Sequence, residues 1–465
     1  MVSNRVSVRS ALLGIWVCYS LFVCAQDTNT RKALAGTESI GDTLKKLNEV
    51  SHKSIRTEQT VSTNGPSYTV VVSDATPLHL LYVHGINAVG ADDSRLLRKG
   101  ICKVLHECND AASRRVYAKG QFEVGTEPPA LEYFGQKIWS DKNEWSAAAP
   151  FFIRHRISGD HGEPQIVLDE LNWYPLVFTP KCKFLIPGDR KLTARTKKQD
   201  ALCFQPIKAD PTETGRFETY HWDANAALMK VDMQQQYATR LNGASLKAGV
   251  FDWGLGDAAL ALGPMQEVLC AAIRQLFVQT RDGVNVDELG TLRSNQEVPV
   301  YFVTHSLGSY LSLAAMATDW QGSQLQVLQG FKPNDEQKAA ADYFVKNTKG
   351  FYFLANQLAL LELARLTVPG LDPPQGPIPA ALALANVAEK RTADGKPRPQ
   401  VIAWSAADDL LSWYVPNVPG LSVVNLPARN RSFRIWTVVA GPQGVHDNYA
   451  GNSAIVKVIF GETKP

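Results

Sequence analysis

The stretch that most constrains this chain is "VPVYFVTHSLGSYLSLAAM", residues 298–316. It runs apolar, reverses at a serine and runs apolar again. The first half is short, β-branched and aromatic, the pattern of a strand buried on both faces. The second half, from Leu307, reads as a helix. A strand ending at Thr304 and a helix starting near Leu307 leave almost no loop. Ser306 must then sit in a tight, strained reversal with its Oγ pushed outward. Small residues are needed around it, because strand and helix backbones nearly touch. Gly308 supplies one, two positions after the serine, as the turn G-x-S-x-G requires. Two positions before it stands Thr304 in place of glycine. Threonine is small, and its β-branching suits a strand end. A plain helix-capping serine is the competing reading.

Around this unit the chain alternates strand and helix signals. "SYTVVVS", "LHLLYVHG", "FFIRHRI", "PQIVLDELNW", "GFYFLAN", "PQVIAWSA" and "FRIWTVVAG" read as strands. "DDSRLLRKGICKVLHEC" carries Leu97, Ile101 and Leu105 at helical spacing behind a polar start at Asp93 or Ser94. "NAALMKVDMQQQYATRL" and "MQEVLCAAIRQLFVQ" read as helices, and "NDEQKAAADYFVKN" as one capped by Asn334 with Gln337 three positions on. Buried strands alternating with helices predict the α/β class: a mainly parallel sheet with helices on both faces. With 465 residues, 45% hydrophobic, there is ample material for that core. Two insertions interrupt the alternation, at about 175–245 and about 365–398. The second is proline-rich ("VPGLDPPQGPIPA"). One domain over 66–465, after a polar segment 26–65, fits better than several.

A serine hydroxyl is a poor nucleophile until a base takes its proton. In a strand–serine–helix setting the partners follow in the order acid, then histidine. His446, in "AGPQGVHDNYAG", is the one histidine after Ser306. The acid should follow the preceding strand, where "QVIAWSAADDLLSWYVP" offers Asp408 and Asp409. Counting from the strand end favours Asp408. The apolar pair Leu410 and Leu411 fits either. Oxyanion donors are expected from the N–H of Ile86 or Asn87, turned inward by Gly85 in "LYVHGIN", together with that of Leu307. His84 is expected to buttress this loop. His305 should point away from Oγ and pack. Phe251, Trp253 and Leu255 are expected either to line a pocket or to pack in the core.

A formal charge of +3, with no basic run beside aromatics, gives no reason to expect nucleic acid. "RKLTARTKK" reads as a solvated loop. Residues 1–25 read as an export signal. Arg5 and Arg9 precede "ALLGIWVCYSLFVCA", and Val23 and Ala25 make a small-residue cleavage site before Gln26. A lipoprotein cleaved at Cys24 is the alternative, against which Val23 is large. The apolar run is short for a bilayer, and no later stretch reads as a membrane helix. The mature protein is therefore expected in a secreted or periplasmic, oxidising setting.

Of seven cysteines, Cys102, Cys108, Cys182, Cys203 and Cys270 follow the signal. Cys182 and Cys203 flank a polar loop and are the best disulfide candidates, a link worth about 3 kcal/mol. Cys102 and Cys108 sit in a helical pattern, which would hold their Cα atoms about 9 Å apart. A disulfide needs less than about 7 Å, so they pair only if the helix ends between them. Cys270 reads as a buried thiol. No cysteine or histidine spacing predicts a metal site.

Together "VHGIN", "THSLGS", "AADDLLSW" and "VHDNY" resemble the α/β-hydrolase superfamily of serine esterases and lipases. "LYVHGIN…DDS", "LDELNWYPL" and "FLANQLALL" are similar to a largely uncharacterised bacterial group within it. In that group the acid motif often reads D-P-N-D-L-L-S-Y. Its second Asp matches Asp409, and the position of Asp408 can be Asn, so the resemblance favours Asp409. It spans roughly residues 75–460 and departs at Thr304 and in the cysteine-bearing stretch 182–203. It implies the fold and a serine-hydrolase mechanism with no metal or organic cofactor, and it does not imply a substrate. The insertion at about 175–245 is expected to form a cap over the site, and an apolar cap would suit acyl or lipid esters, so a small-molecule or lipid ester is the expected substrate. The same triad would serve a peptidase or acyltransferase. A non-catalytic binding module of this fold is the reading from another class, and it has no need to keep Ser306, His446 and a carboxylate together.

Overall fold

The computed structural model describes residues 39–53, 60–61, 68–69, 78–85, 93–105, 108–158, 164–185, 208–209, 217–219, 255–281, 298–317, 326–363, 380–406, 409, 411–416, 418, 420–428, 446 and 448–460. Among them, nine strands form one mixed, mostly parallel sheet. In chain order they are β1 (Leu78–Val83), β2 (Asn109–Ala112), β3 (Val116–Tyr117), β4 (Phe151–Ser158), β5 (Pro164–Asn172), β6 (Val300–His305), β7 (Thr348–Leu354), β8 (Gln400–Ser405) and β9 (Val423–Pro427). The order across the sheet is β9-β8-β7-β6-β1-β5-β4-β2, with β3 also paired to β4. From β9 to β5 every pairing is parallel. The pairings of β4 with β5, β2 and β3 are antiparallel.

"FFIRHRI" and "PQIVLDELNW" thus form a hairpin at one side of a sheet in which the second of them and five other strands run parallel. Their sequence runs are apolar enough for a parallel strand, but only a few residues separate them. No crossover helix fits that gap, so they must pair antiparallel.

Side chains alternate across the sheet, and each face has its own helices. Leu81, Val83, Val300, Phe302, Phe351 and Phe353 share one core with α3 (Met265–Arg281), α4 (Leu307–Met316), α5 (Asp335–Asn347) and α6 (Ala380–Ala393). Leu80, Tyr82, Tyr301, Val303, Tyr352 and Leu354 face α1 (Ile40–Lys53), α2 (Arg95–Val104) and α7 (Ser453–Ile459). Asn334 caps α5 as its sequence predicts, its side chain accepting from the Gln337 N–H at 2.8 Å.

The stretch 365–398, which its prolines assign to an excursion, is half core. α6 carries Ala383, Leu384 and Val387 into the first core as the crossover between β7 and β8. The prolines stop short of it, and its own composition is helical. Cys102 and Cys108 form a disulfide with Cα atoms 5.0 Å apart. This is possible because α2 ends at Val104 and β2 begins at Asn109, so the helix does end between them. Cys270 is a free, buried thiol. Cys203 and the side chain of Cys182 lie outside the described residues, as do the segment 1–25 and "FRIWTVVAG".

Adjacent carboxylates on β5 point to opposite faces and anchor both layers. Glu170 accepts from the N–H groups of Asp93 (3.0 Å) and Ser94 (3.1 Å) and from the Ser94 hydroxyl, closing the start of α2. Ser94 is the N-cap residue, yet its own side chain makes no capping bond. Asp169, fully buried, accepts two hydrogen bonds from Arg154, each 2.7 Å, and one from His79 at 2.7 Å. Arg154 also donates to the Thr280 carbonyl at the end of α3.

Burial opposes ionisation of Asp169, but Arg154 and then His79 outweigh it and hold its carboxyl down to about 2, from 3.8. The folded value lies below the unfolded one, so on acidification the unfolded chain binds the proton first. The stability this carboxylate contributes is full above about pH 4 and lost on the way to pH 2. We expect Asp169→Asn, which strands a buried guanidinium, to lower unfolding free energy at neutral pH by about 3–5 kcal/mol in urea titrations. The variant should also lose less stability than wild type between pH 4 and 2, by about 2 kcal/mol.

Candidate active site

β6 is central, between β1 and β7, and ends directly in the serine turn. Ser306 has φ 53° and ψ −124°, and α4 starts at the next residue. A serine held there costs about 1–3 kcal/mol. Its N–H donates to the Leu354 carbonyl at the end of β7 (2.8 Å), which pins the reversal. Thr304 answers the question its place raises. Its hydroxyl pairs with that of Ser309, 2.8 Å away in the first turn of α4. A buried polar group in the strand is thereby satisfied, and the strand end is tied to the helix.

Two glycines allow the approach. A Cβ on Gly308 would lie 2.4 Å from the carbonyl oxygens of both Val83 and His84. A Cβ on Gly85 would lie 2.5 Å from the Ser306 Cβ. The turn therefore rests directly on the end of β1.

The three distant residues meet. Ser306 Oγ lies 2.8 Å from His446 Nε2. His446 Nδ1 lies 3.0 Å from each carboxylate oxygen of Asp409. An ionised carboxylate only accepts, so Nδ1 carries the proton and Nε2 offers a lone pair to the serine hydroxyl. Asp409 is held in turn by the Leu411 N–H (2.9 Å) and the Tyr449 hydroxyl (2.9 Å). Burial pushes its carboxyl up. The hydrogen bond and charge of His446, with the Leu411 and Tyr449 donors, bring it below its ordinary value all the same. It is thus a fixed negative charge at neutral pH. Ser306, His446 and Asp409 are 0%, 2% and 5% exposed. The serine turn does not present its hydroxyl to solvent as the sequence suggests.

Other expected members fall as follows. The Leu307 N–H begins α4 and is one of the helix's orphan donors. Ile86, Asn87, Asp408, Phe251 and Trp253 lie outside the described residues. Leu255 packs against the larger core. His84 buttresses. Its ring stacks on Trp173 with centroids 4.8 Å apart, and the Trp173 N–H donates to its Nε2 at 3.2 Å. Nδ1 donates to the Gly85 carbonyl at 2.7 Å. Burial lowers the His84 ring to about 4, so it stays neutral. His305 does point elsewhere, but it is not idle packing: its Nε2 donates to the His446 carbonyl at 2.8 Å.

Tyr449 is the residue that sequence reading misses. It sits inside "VHDNY", three places after the histidine, where its aromatic body reads as core. Its hydroxyl accepts from the Ala406 N–H (2.7 Å) while donating to Asp409 (2.9 Å), tying the chain around Asp409 to the stretch that carries His446. Burial and then the charge of Asp409 keep its phenol protonated. A polar-tipped aromatic close behind His446 in the sequence is the one signal that marks it. Among the described residues no cluster of three His, Cys, Asp or Glu is placed to hold a metal ion.

Comparison of the chain with family models, curated proteins and solved structures finds no match.

Gly308→Ala separates this geometry from ordinary helix behaviour. In an exposed helix interior the change would stabilise by about 1 kcal/mol. Here the methyl meets two backbone oxygens, so we expect a lower thermal unfolding midpoint and weaker reactivity at Ser306. An unchanged or raised midpoint would refute the close approach.

Proposed function

We propose that this protein is a serine hydrolase of the α/β-hydrolase type, cleaving carboxylic esters of small molecules or lipids. One observation carries the reading: a strained serine, an imidazole and an ionised carboxylate in hydrogen-bonded series, drawn from three distant parts of the chain. Structural serines do not need a left-handed turn, and structural histidines do not need a two-sided grip. The mostly parallel sheet, the central position of β6 and the chain order serine, aspartate, histidine support the fold-level part of the proposal.

The chemistry follows from the contacts. Ser306 Oγ attacks the ester carbonyl while its proton passes to His446 Nε2. Asp409 stabilises the imidazolium that forms and keeps its orientation. The tetrahedral oxyanion takes a hydrogen bond from the Leu307 N–H, to which the positive end of α4 adds. His446 then gives its proton to the leaving alcohol, and an acyl-serine remains. Water, deprotonated by the same ring, releases the acid and restores the serine. Ser306 is buried, and burial strengthens each of these interactions.

The signal-like first 25 residues and the disulfide between Cys102 and Cys108 both support an exported protein. Among the described residues no helix is long and apolar enough to cross a membrane.

A fluorophosphonate probe tests the proposal. Wild type should label at a single residue, and Ser306→Ala should not label. Asp409→Asn should slow labelling and p-nitrophenyl ester hydrolysis by about 10³–10⁴-fold, as loss of the correct imidazole tautomer does. Tyr449→Phe, which removes one donor from Asp409 and leaves the acid in place, should cost about tenfold in kcat with KM unchanged. Absence of labelling in folded wild type, or persistent labelling of Ser306→Ala, would remove the reading. Ready cleavage of peptide amides with inert esters would move it to a peptidase.

A further inference from the structure

The carboxyl end of β7, next to the serine turn, holds a feature that the triad does not use. Among the described residues, three that are not glycine take positive φ: Phe134, Ser306 and Ala355. Ser306 and Ala355 directly follow the ends of the neighbouring strands β6 and β7. The bond from the Ser306 N–H to the Leu354 carbonyl joins the two ends, and the Ala355 N–H donates to the Trp404 carbonyl of β8 at 3.0 Å. An alanine at φ 50° is strained, and strain of this kind gathers at functional sites.

Two residues further on stands Gln357, which is 1% exposed. Its main-chain carbonyl accepts from the Leu361 N–H at 3.0 Å, opening the short helix Leu358–Leu363. Asn356, just before it, is gripped from the acid's side. Its Nδ2 donates to the Trp413 carbonyl (2.7 Å) and its own carbonyl accepts from the Trp413 N–H (3.0 Å), four residues past Asp409. Three residues span at most about 11 Å, so Gln357 stays close to Leu354 and the serine turn held there. The backbone at Gln357 is thus fixed between the segment that carries the nucleophile and the segment that carries the acid.

The side chain, by contrast, is unanswered. Neither Nε2 nor Oε1 of Gln357 has a hydrogen-bond partner, although both atoms are buried. Of the side-chain amides among the described residues, Gln121, Asn172 and Gln337 each leave one buried atom unpaired, and Gln357 alone leaves two. Gln279 shows what a satisfied core glutamine looks like: its oxygen accepts from the Lys119 N–H and its Nε2 donates to the Tyr117 carbonyl. A buried amide without partners is costly to keep and calls for an explanation. Beside a nucleophile, the group that completes it is the substrate's.

We propose that Gln357 determines specificity at Ser306, and that the ester cleaved there carries a neutral hydrogen-bonding group, a hydroxyl or an amide, apart from its scissile carbonyl. Such a group accepts from Nε2 and donates to Oε1. An ionised group is unsuited, because a carboxamide brings no charge to offset its burial. A plain alkyl ester is unsuited for the opposite reason. It would leave the amide unpaired in the complex, and sites built to hydrogen-bond a substrate reject analogues that cannot. The inference rests on the serine-hydrolase reading and narrows the ester it acts on.

The test uses the full chain. Fluorophosphonate labelling of Ser306 comes first, and its absence would defeat the hydrolase reading and this inference together. In labelled wild type, kcat/KM is then compared for ethyl butyrate, ethyl β-hydroxybutyrate, N-acetylglycine ethyl ester and monobutyrin. We expect at least one of the last three to be preferred over ethyl butyrate by about tenfold or more. In Gln357→Met, close in shape but without the polar atoms, that preference should vanish. A glutamine with a structural role alone would not move the ratio. If Gln357→Met fails to fold by circular dichroism, Gln357→Leu takes its place. The preferred ester tells hydroxyl from amide, and the acyl side from the alcohol side. Labelled wild type that cleaves ethyl butyrate as well as the other three, or a preference that survives in the variant, would overturn this inference and leave the hydrolase reading standing.

Discussion

Everything at the serine depends on how closely two backbones pass. The end of β1 and the start of α4 approach so tightly that a single added carbon on Gly308 or Gly85 would overlap its neighbours. That contact removes the loop between β6 and α4. With no loop, Ser306 is forced to positive φ, and the strain of about 1–3 kcal/mol has to be offset nearby. Two hydrogen bonds do so, from the Ser306 N–H to Leu354 and between the hydroxyls of Thr304 and Ser309. Each is worth about 1 kcal/mol. The turn is affordable because the sheet on both sides of it is already rigid.

The buried polar groups divide by what they can do with a proton. Asp169 is locked between a guanidinium and a histidine, and Glu170 closes a helix. Neither faces a hydroxyl that a base could activate. Asp409 also lies buried, with three kinds of donor around it, but one of them is an imidazole whose other nitrogen meets a serine. Burial and several hydrogen-bond donors are common to all three carboxylates. What sets the third apart is the open end of its chain of hydrogen bonds. A perturbed carboxyl alone would have pointed equally to Asp169, which is a joint between layers.

The serine turn, the central strands and the order of serine, acid and histidine are legible in the sequence because each rests on local pattern: apolar runs, a glycine spacing, a lone downstream histidine. What is not legible is set by partners distant in the chain. Tyr449 draws no reading and His305 reads as packing, since their hydrogen bonds go to Asp409, Ala406 and the His446 carbonyl, none of which sequence spacing brings near. Glu170 reads as one more strand residue, although it caps a helix that begins at Arg95. The proline run before α6 hides a crossover helix because loop composition and helix composition abut there. The disulfide was readable in principle: it turned on where α2 ends, and boundaries are the weakest part of any reading from sequence.

Chain direction gives the two ends of the sheet opposite electrical character. In a parallel α/β layer each helix runs against its strands, so helix N-termini gather at the carboxyl ends of strands and C-termini at the amino ends. α4 accordingly aims its positive end toward Ser306. α5 and α6 bring negative ends to the far side, beside Lys346 and Arg391 in their own last turns. Left to the backbone alone, the far side would repel anions. Basic side chains in those last turns offset the sign. The serine end uses the field the topology supplies, while the far end balances it with its own side chains.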